Sequence, residues 1–307
     1  MKLAARLTVA GLVLVFAFTS LYVAAFHAPR PKGLDVAFVG GSAQAASVQR
    51  ALGGAFDVHA YDSEARARDA LLETDVQGVV DRDRVLVASA GGIPPAEAVT
   101  AAARRVAPGA AVDDVRPLPA SDRRGLSPLF AVVGTLIPSL VFGVLLSVFG
   151  RGLPARVRWP AIVVFAFVAG FVTAFDTDVL VGALNGHFAG IALVAGLLAL
   201  AVSAAAHGLG HLGGPVGIVT AVLLLLLLGV SSAGGAVTYQ FEPGFFGALS
   251  QLLPPGAALT AIRNVQYFDW AATLAPLLAL AAWAAGGLAF GLLGERFGPH
   301  VRKGRHP

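Results

Sequence analysis

Two histidines four residues apart on a helix can share a metal ion, and His207 and His211 in His-Gly-Leu-Gly-His have that spacing. Their surroundings argue against a metal: no carboxylate or third ligand lies nearby in sequence, and the glutamate of a zinc-protease motif is missing. They read as two histidines in a cytoplasmic turn. Gly40-Gly41-Ser42, following an apolar run, could cradle a phosphate, but the dinucleotide fingerprint needs three glycines at fixed offsets and only two are present. A tight strand-to-helix turn with a serine cap accounts for the same residues. Ser42, Ser121, Ser231 and Ser232 lie in no Gly-x-Ser-x-Gly elbow, and no Gly-Lys dipeptide exists to form a Walker A loop. No catalytic, cofactor or metal residue is assigned, and the chain reads as a non-enzyme.

Two other groups of residues invite a mechanical reading. Gly150-Arg151-Gly152-Leu153-Pro154-Ala155-Arg156-Val157-Arg158-Trp159-Pro160 sets Arg151, Arg156 and Arg158 between two apolar runs. Guanidinium groups there serve the positive-inside rule and can also meet a protein surface. The segment from Phe241 to Asp269 is too apolar for a free loop and too broken by Pro254-Pro255-Gly256 for a continuous span. It reads as two short helices meeting at a bend, a re-entrant hairpin whose gate would be Pro254, Pro255, Gly256 and Arg263, with Arg263 near the headgroups or an acid such as Asp269. A hairpin lying on the membrane surface is the competing reading.

These residues are held by a chain that belongs mostly in lipid. Of 307 residues 56% are hydrophobic and 13% charged, with mean hydropathy +0.75, against the roughly 25% charged residues of ordinary soluble domains. Cysteine is absent, so no disulfide supports an outward-facing domain. Six runs, Leu7 to Phe26, Leu129 to Phe149, Ala161 to Phe175, Phe188 to Ala206, Val216 to Ala233 and Ala271 to Leu293, contain no Asp, Glu, Lys or Arg. Each reads as a transmembrane helix. The first ends in bulky Phe26-His27 and is longer than the apolar core of a signal peptide, so it reads as an uncleaved anchor.

Six spans with the N-terminus inside put Lys2, Arg6, Arg151, Arg156, Arg158, Arg296, Arg302, Lys303 and Arg305 on the cytoplasmic side against one acid, Glu295. The excess positive charge therefore lies on membrane flanks, and the pI of about 9.8 is no sign of nucleic-acid binding. Nineteen arginines against three lysines suggest a GC-rich bacterial genome. The expected location is a bacterial plasma membrane, multi-pass, with both termini cytoplasmic. With no ionisable group inside the spans, proton or sodium coupling through them is not expected.

Residues 27–126 form the only soluble segment. Strands are expected at Leu34 to Val39, Phe56 to Ala60, Gln77 to Val80, Arg84 to Ala88 and Ala111 to Val115, and helices at Ala43 to Leu52, Ser63 to Glu73 and Pro95 to Val106. The fold class is thus an α-helical integral membrane protein of six transmembrane helices, with a small extracytoplasmic α/β domain between helices 1 and 2. Its divisions are residues 1–26, 27–126 and 127–307, with the re-entrant hairpin at 241–269.

This architecture, the Leu253-Pro254-Pro255-Gly256-Ala257 segment ending in Arg263-Asn264-Val265-Gln266-Tyr267-Phe268, and the junction Val115-Arg116-Pro117-Leu118-Pro119-Ala120-Ser121-Asp122-Arg123-Arg124-Gly125-Leu126-Ser127 resemble the YhgE/Pip (phage infection protein) branch of type-2 ABC exporter permeases. The resemblance covers nearly the whole chain. It implies one permease half of a homodimer or heterodimer, energised by a separate ABC-type ATPase that meets the inner loop between spans two and three, here Arg151 to Arg158. The substrate would be lipid-like, peptide or drug-like. One departure is the tail of about six residues before the first span, which leaves no room for the interfacial helix of many such exporters. The alternative function is a non-transporting membrane receptor or scaffold for a secretion or cell-surface assembly.

Overall fold

The computed structural model describes residues 2–26, 30–235 and 238–297. A 25-residue helix α1 (Lys2–Phe26) leads into a five-stranded sheet. Its elements are β1 (Leu34–Val39), α2 (Ser42–Leu52), β2 (Phe56–Tyr61), α3 (Glu64–Leu72), β3 (Gly78–Val80), β4 (Arg84–Val87), α4 (Ile93–Val106) and β5 (Ala111–Asp114). The strand order is β2-β1-β3-β4-β5, parallel throughout except for the β3–β4 hairpin, whose turn is Asp81-Arg82-Asp83. Alternation along the strands assigns the faces. Val36, Val80, Val85 and Val87 pack with Val99 of α4, whereas Ala37, Val79 and Leu86 pack with Ala67 and Leu71 of α3.

The second of these clusters does not end at the domain edge. It runs on through Ala88 and Ala90 to Tyr267, Phe268, Ala131 and Val132, so the α/β domain is seated on the helical bundle by a continuous apolar core. Main-chain bonds from Arg30 N to the Phe241 carbonyl and from Lys32 N to the Gln240 carbonyl, together with Phe241 buried among Leu34 and Val36, fasten the same junction. Arg116 adds an ion pair to Asp269 at 2.7 Å.

The bundle comprises α5 (Ser127–Phe149), α6 (Ala155–Ala174), α7 (Phe188–Ala221), α8 (Gly229–Ser231), α9 (Gly244–Leu252), α10 (Pro254–Tyr267) and α11 (Leu274–Phe297). Among the described residues, four segments are long and apolar enough to cross a membrane: Ser127–Gly152, Ala155–Leu180, Phe188–Ser231 and Leu274–Arg296. The bent pair α9 and α10 would make a fifth. Large apolar side chains point outward, Phe167 being 76% and Phe149 79% exposed, a surface suited to lipid and not to water.

One 44-residue segment, Phe188–Ser231, would be about 66 Å long if straight, twice a hydrocarbon core of about 30 Å. It is not straight. Gly214 adopts φ 58°, ψ −136°, open mainly to glycine, and Pro215 bars its predecessor from helical geometry. The chain folds back so closely that a Cβ on Gly217 would strike the Leu209 carbonyl. Residues 188–213 and 215–231 are therefore two antiparallel arms.

Small residues let the first arm sit between its neighbours. Gly170 of α6 and Gly143 of α5 each abut its backbone, at Ala192 and Ser203 respectively, and Gly208 abuts Gly287 of α11.

Beneath the sheet, Glu242 is 1% exposed, and one of its carboxylate oxygens accepts a 3.1 Å bond from Gly234 N. Burial pushes this carboxyl up to about 8. The folded state then holds a proton that the unfolded chain releases above about 4.5, so stability should fall as pH rises through that interval, at up to about 1.4 kcal/mol per pH unit. Thermal unfolding in detergent at pH 5, 6.5 and 8 should show this decline in the wild type and a shallower one in Glu242→Gln. Equal slopes would show that Glu242 is not its source.

Candidate functional site

The three arginines between the second and third apolar runs do not share one environment. Gly150–Gly152 forms a single 3-10 turn, Pro154 caps the next helix, and α6 starts at Ala155, six residues before the expected span. Arg151 and Arg156 are exposed, with Arg151 Nε donating to the Ser147 carbonyl at 3.1 Å. Arg158 corrects the expectation of a loop residue: it lies a full turn inside α6 and is 4% exposed. Its direction is set by the helical period, which turns residue 158 towards α7 and α11.

Arg158 Nη2 donates to Glu295 Oε1 at 2.8 Å. Its Nη1 lies 3.2 Å from the ring nitrogens of His211 and 3.5 Å from His207 Nε2. A guanidinium only donates, so a histidine nitrogen that bonds to it must present its lone pair. His207 and His211 stack at 5.5 Å, and Trp159 meets His207 edge-on at 5.4 Å. The two histidines are thus not in a turn. They belong to the first arm of α7, and the reversal comes later, at Gly214. Gly208, Gly210, Gly213 and Gly214 masked the helix by resembling breakers, although the four-residue spacing of the histidines was itself a helical signal.

Three glycines of α11 make room for this cluster. Gly287 abuts Ala204 and Ala205, a Cβ on Gly291 would collide with Trp159, and one on Gly294 would lie 2.8 Å from the His211 ring. One face of α11 is thereby held against α6 and α7 where Glu295 can reach Arg158. Satisfaction is incomplete: Arg158 Nε, Trp159 Nε1 and His207 Nδ1 are buried without a hydrogen-bond partner among the described residues. Orphaned polar groups at such density call for an explanation beyond stability. The expected absence of ionisable groups inside the spans also needs correction, since Arg158 and His207 lie buried within spanning segments. The side chains of Lys2 and Arg6, and Arg302, Lys303 and Arg305 altogether, lie outside the described residues.

At the opposite end, the expected bend is present. Leu253 leaves helical geometry (φ −90°, ψ 144°), as the residue before proline must, Pro254 opens α10, and the two helices diverge by 75°. Pro255 packs on Gly229, and Gly256 lies where any Cβ would strike the Ser250 carbonyl. Arg263 differs from expectation. Asp269 is taken by Arg116, while Arg263 turns inward and borders a cavity between the hairpin and the α/β domain. Beside it Asp122, 6% exposed, caps α5 through the Leu126 and Ser127 amides and accepts a 2.8 Å bond from Tyr267.

No protein-family model matches the chain, and no curated protein or solved structure matches it. Among the described residues no group of three or more His, Asp or Glu side chains could hold a metal.

Proposed function

We propose that this chain is the membrane-spanning permease subunit of a type-2 ABC-like exporter, energised by a separate ATPase and working as a dimer. The observation that carries the proposal is the buried Arg158 network, which ties the start of α6, directly after the exposed Arg151 turn, to α7 and α11. Force applied at that turn would be conveyed to the three helices that pack together, instead of bending one of them. In this reading six helices cross a bacterial plasma membrane: α1, α5, α6, the two arms of α7 and α11. The hairpin α9–α10 enters from the outer side beneath an extracytoplasmic α/β domain, and both termini face the cytoplasm. The resemblance to the YhgE/Pip branch supports the same assignment.

The roles of the arginines separate accordingly. Arg151 and Arg156 are the docking residues, and Arg158 is the positioning residue behind them. Tagged protein extracted in mild detergent should copurify with an ATPase. Changing Arg151 and Arg156 together to Lys keeps the charge that topology needs but removes the guanidinium fork, and should lower recovery of the ATPase several-fold. Unchanged recovery would remove these arginines from the interface, and consistent failure to copurify any ATPase would favour the receptor or scaffold function.

A further inference from the structure

The cavity beside Arg263 measures about 240 Å³ and is formed jointly by the sheet domain, the α9–α10 hairpin and the first turn of α11. Its wall has two characters. Leu71, Phe268 and Pro276 are apolar, while Gln251, Thr260 and Asn264 bring amides and a hydroxyl from the hairpin. Arg263 is the sole charged side chain among the described residues of that lining. Asp122, the acid that interacts electrostatically with Arg263, is already engaged by Tyr267 and the start of α5.

A second observation points to a ligand independently of that charge. Thr238, 6% exposed, borders the cavity with a hydroxyl that has no partner among the described residues, and Gln240 Oε1, another lining group, is buried and likewise unpaired among them. Burying such groups unsatisfied is costly, and here an unpaired hydroxyl, an unpaired amide oxygen and a cation line one cavity. The space suits a small headgroup that offers negative oxygens to Arg263, a hydroxyl to Gln240 and a short apolar body to the Leu71 and Pro276 side.

We infer that this junction cavity binds a small anionic amphiphile, a phosphate or carboxylate headgroup joined to an apolar body, with Arg263 as its anion contact. The inference concerns binding alone and holds whether or not an ATPase couples to the other end.

The test uses full-length protein in a neutral detergent, with thermal unfolding followed during titration with dihexanoyl phosphatidylglycerol, dihexanoyl phosphatidylcholine and inorganic phosphate. Wild type should show saturable stabilisation by the anionic lipid and at least tenfold weaker response to the zwitterionic one. Arg263→Gln should weaken the anionic response at least tenfold. Ala275→Phe fills the cavity from α11 while keeping Arg263, and should abolish the response; it also preserves the test if Arg263→Gln fails to fold. Inorganic phosphate acting as strongly as the lipid would keep the anion contact and assign the site to a soluble ligand. Equal responses to the two lipids, or full binding by either folded variant, would overturn the inference.

Discussion

Replacing Arg158 by Met should be among the most damaging single changes in this chain. Methionine roughly fills the aliphatic volume but leaves Glu295 without its cation and the histidine nitrogens without their donor. Removing one partner of a fully buried ion pair typically costs about 3–5 kcal/mol, but Glu295 is 31% exposed and stays partly hydrated, so the loss here lies below that range. Thermal unfolding in detergent should therefore shift below wild type. Glu295→Gln added to Arg158→Met removes the stranded charge, so the double variant should regain much of the loss. If the second substitution restores nothing, the pair is not coupled. Arg158→Lys is informative in another way: lysine keeps the charge but cannot reach Glu295 and both histidines with one planar group. It should retain more stability than Arg158→Met while still impairing any ATPase-coupled activity.

A comparable loss is expected from Gly287→Leu. Gly287 lies against the backbone of Ala204 and Ala205, and Gly208 lies against Gly287 in return, so a leucine must push α11 off the central arm. Overpacking usually costs about 1–3 kcal/mol, and a backbone-to-backbone contact sits at the upper end because no side chain can rotate away. The neighbouring Gly286 supplies the control, since a Cβ there meets nothing within 4 Å. Gly286→Leu should unfold within a degree or two of wild type, and Gly287→Leu many degrees lower. Similar behaviour of the two would mean that α11 does not pack as described.

Much of the soluble segment could be read from sequence because its signals are local. Leu34 to Val39 was bounded to the residue, and α2 ends at Leu52 as expected. The strand order β2-β1-β3-β4-β5 and the joint core with the bundle were not readable, because both depend on pairing across long sequence separations. The Pro254-Pro255-Gly256 bend was legible for the same local reason, as proline dictates the geometry of its predecessor.

The charged site was not legible as a site. Arg158, His207, His211 and Glu295 come from three helices, and each has an ordinary explanation in isolation: a flank arginine, a turn, a cytoplasmic tail. Only the register that α11 gains through Gly287, Gly291 and Gly294 brings them together. Glycine-rich sequence thus misled twice, suggesting a break at His207 where the helix continues, and giving no sign of the close approach that it permits. The inward turn of Arg263 was hidden similarly, since nothing local in sequence says that Asp269 pairs with Arg116.

In the proposed permease the Arg151 turn and the α/β domain lie on opposite sides of one membrane. The chain contains no cysteine, so single cysteines can report sidedness without background. Asp62→Cys places a thiol on the exposed β2–α3 connection, and Gly152→Cys places one in the exposed turn before α6. A membrane-impermeant maleimide added to intact cells should label the Asp62→Cys thiol and spare the Gly152→Cys thiol until the membrane is opened. Labelling of both from outside, or of Gly152→Cys alone, would contradict the arrangement on which coupling to a cytoplasmic ATPase depends.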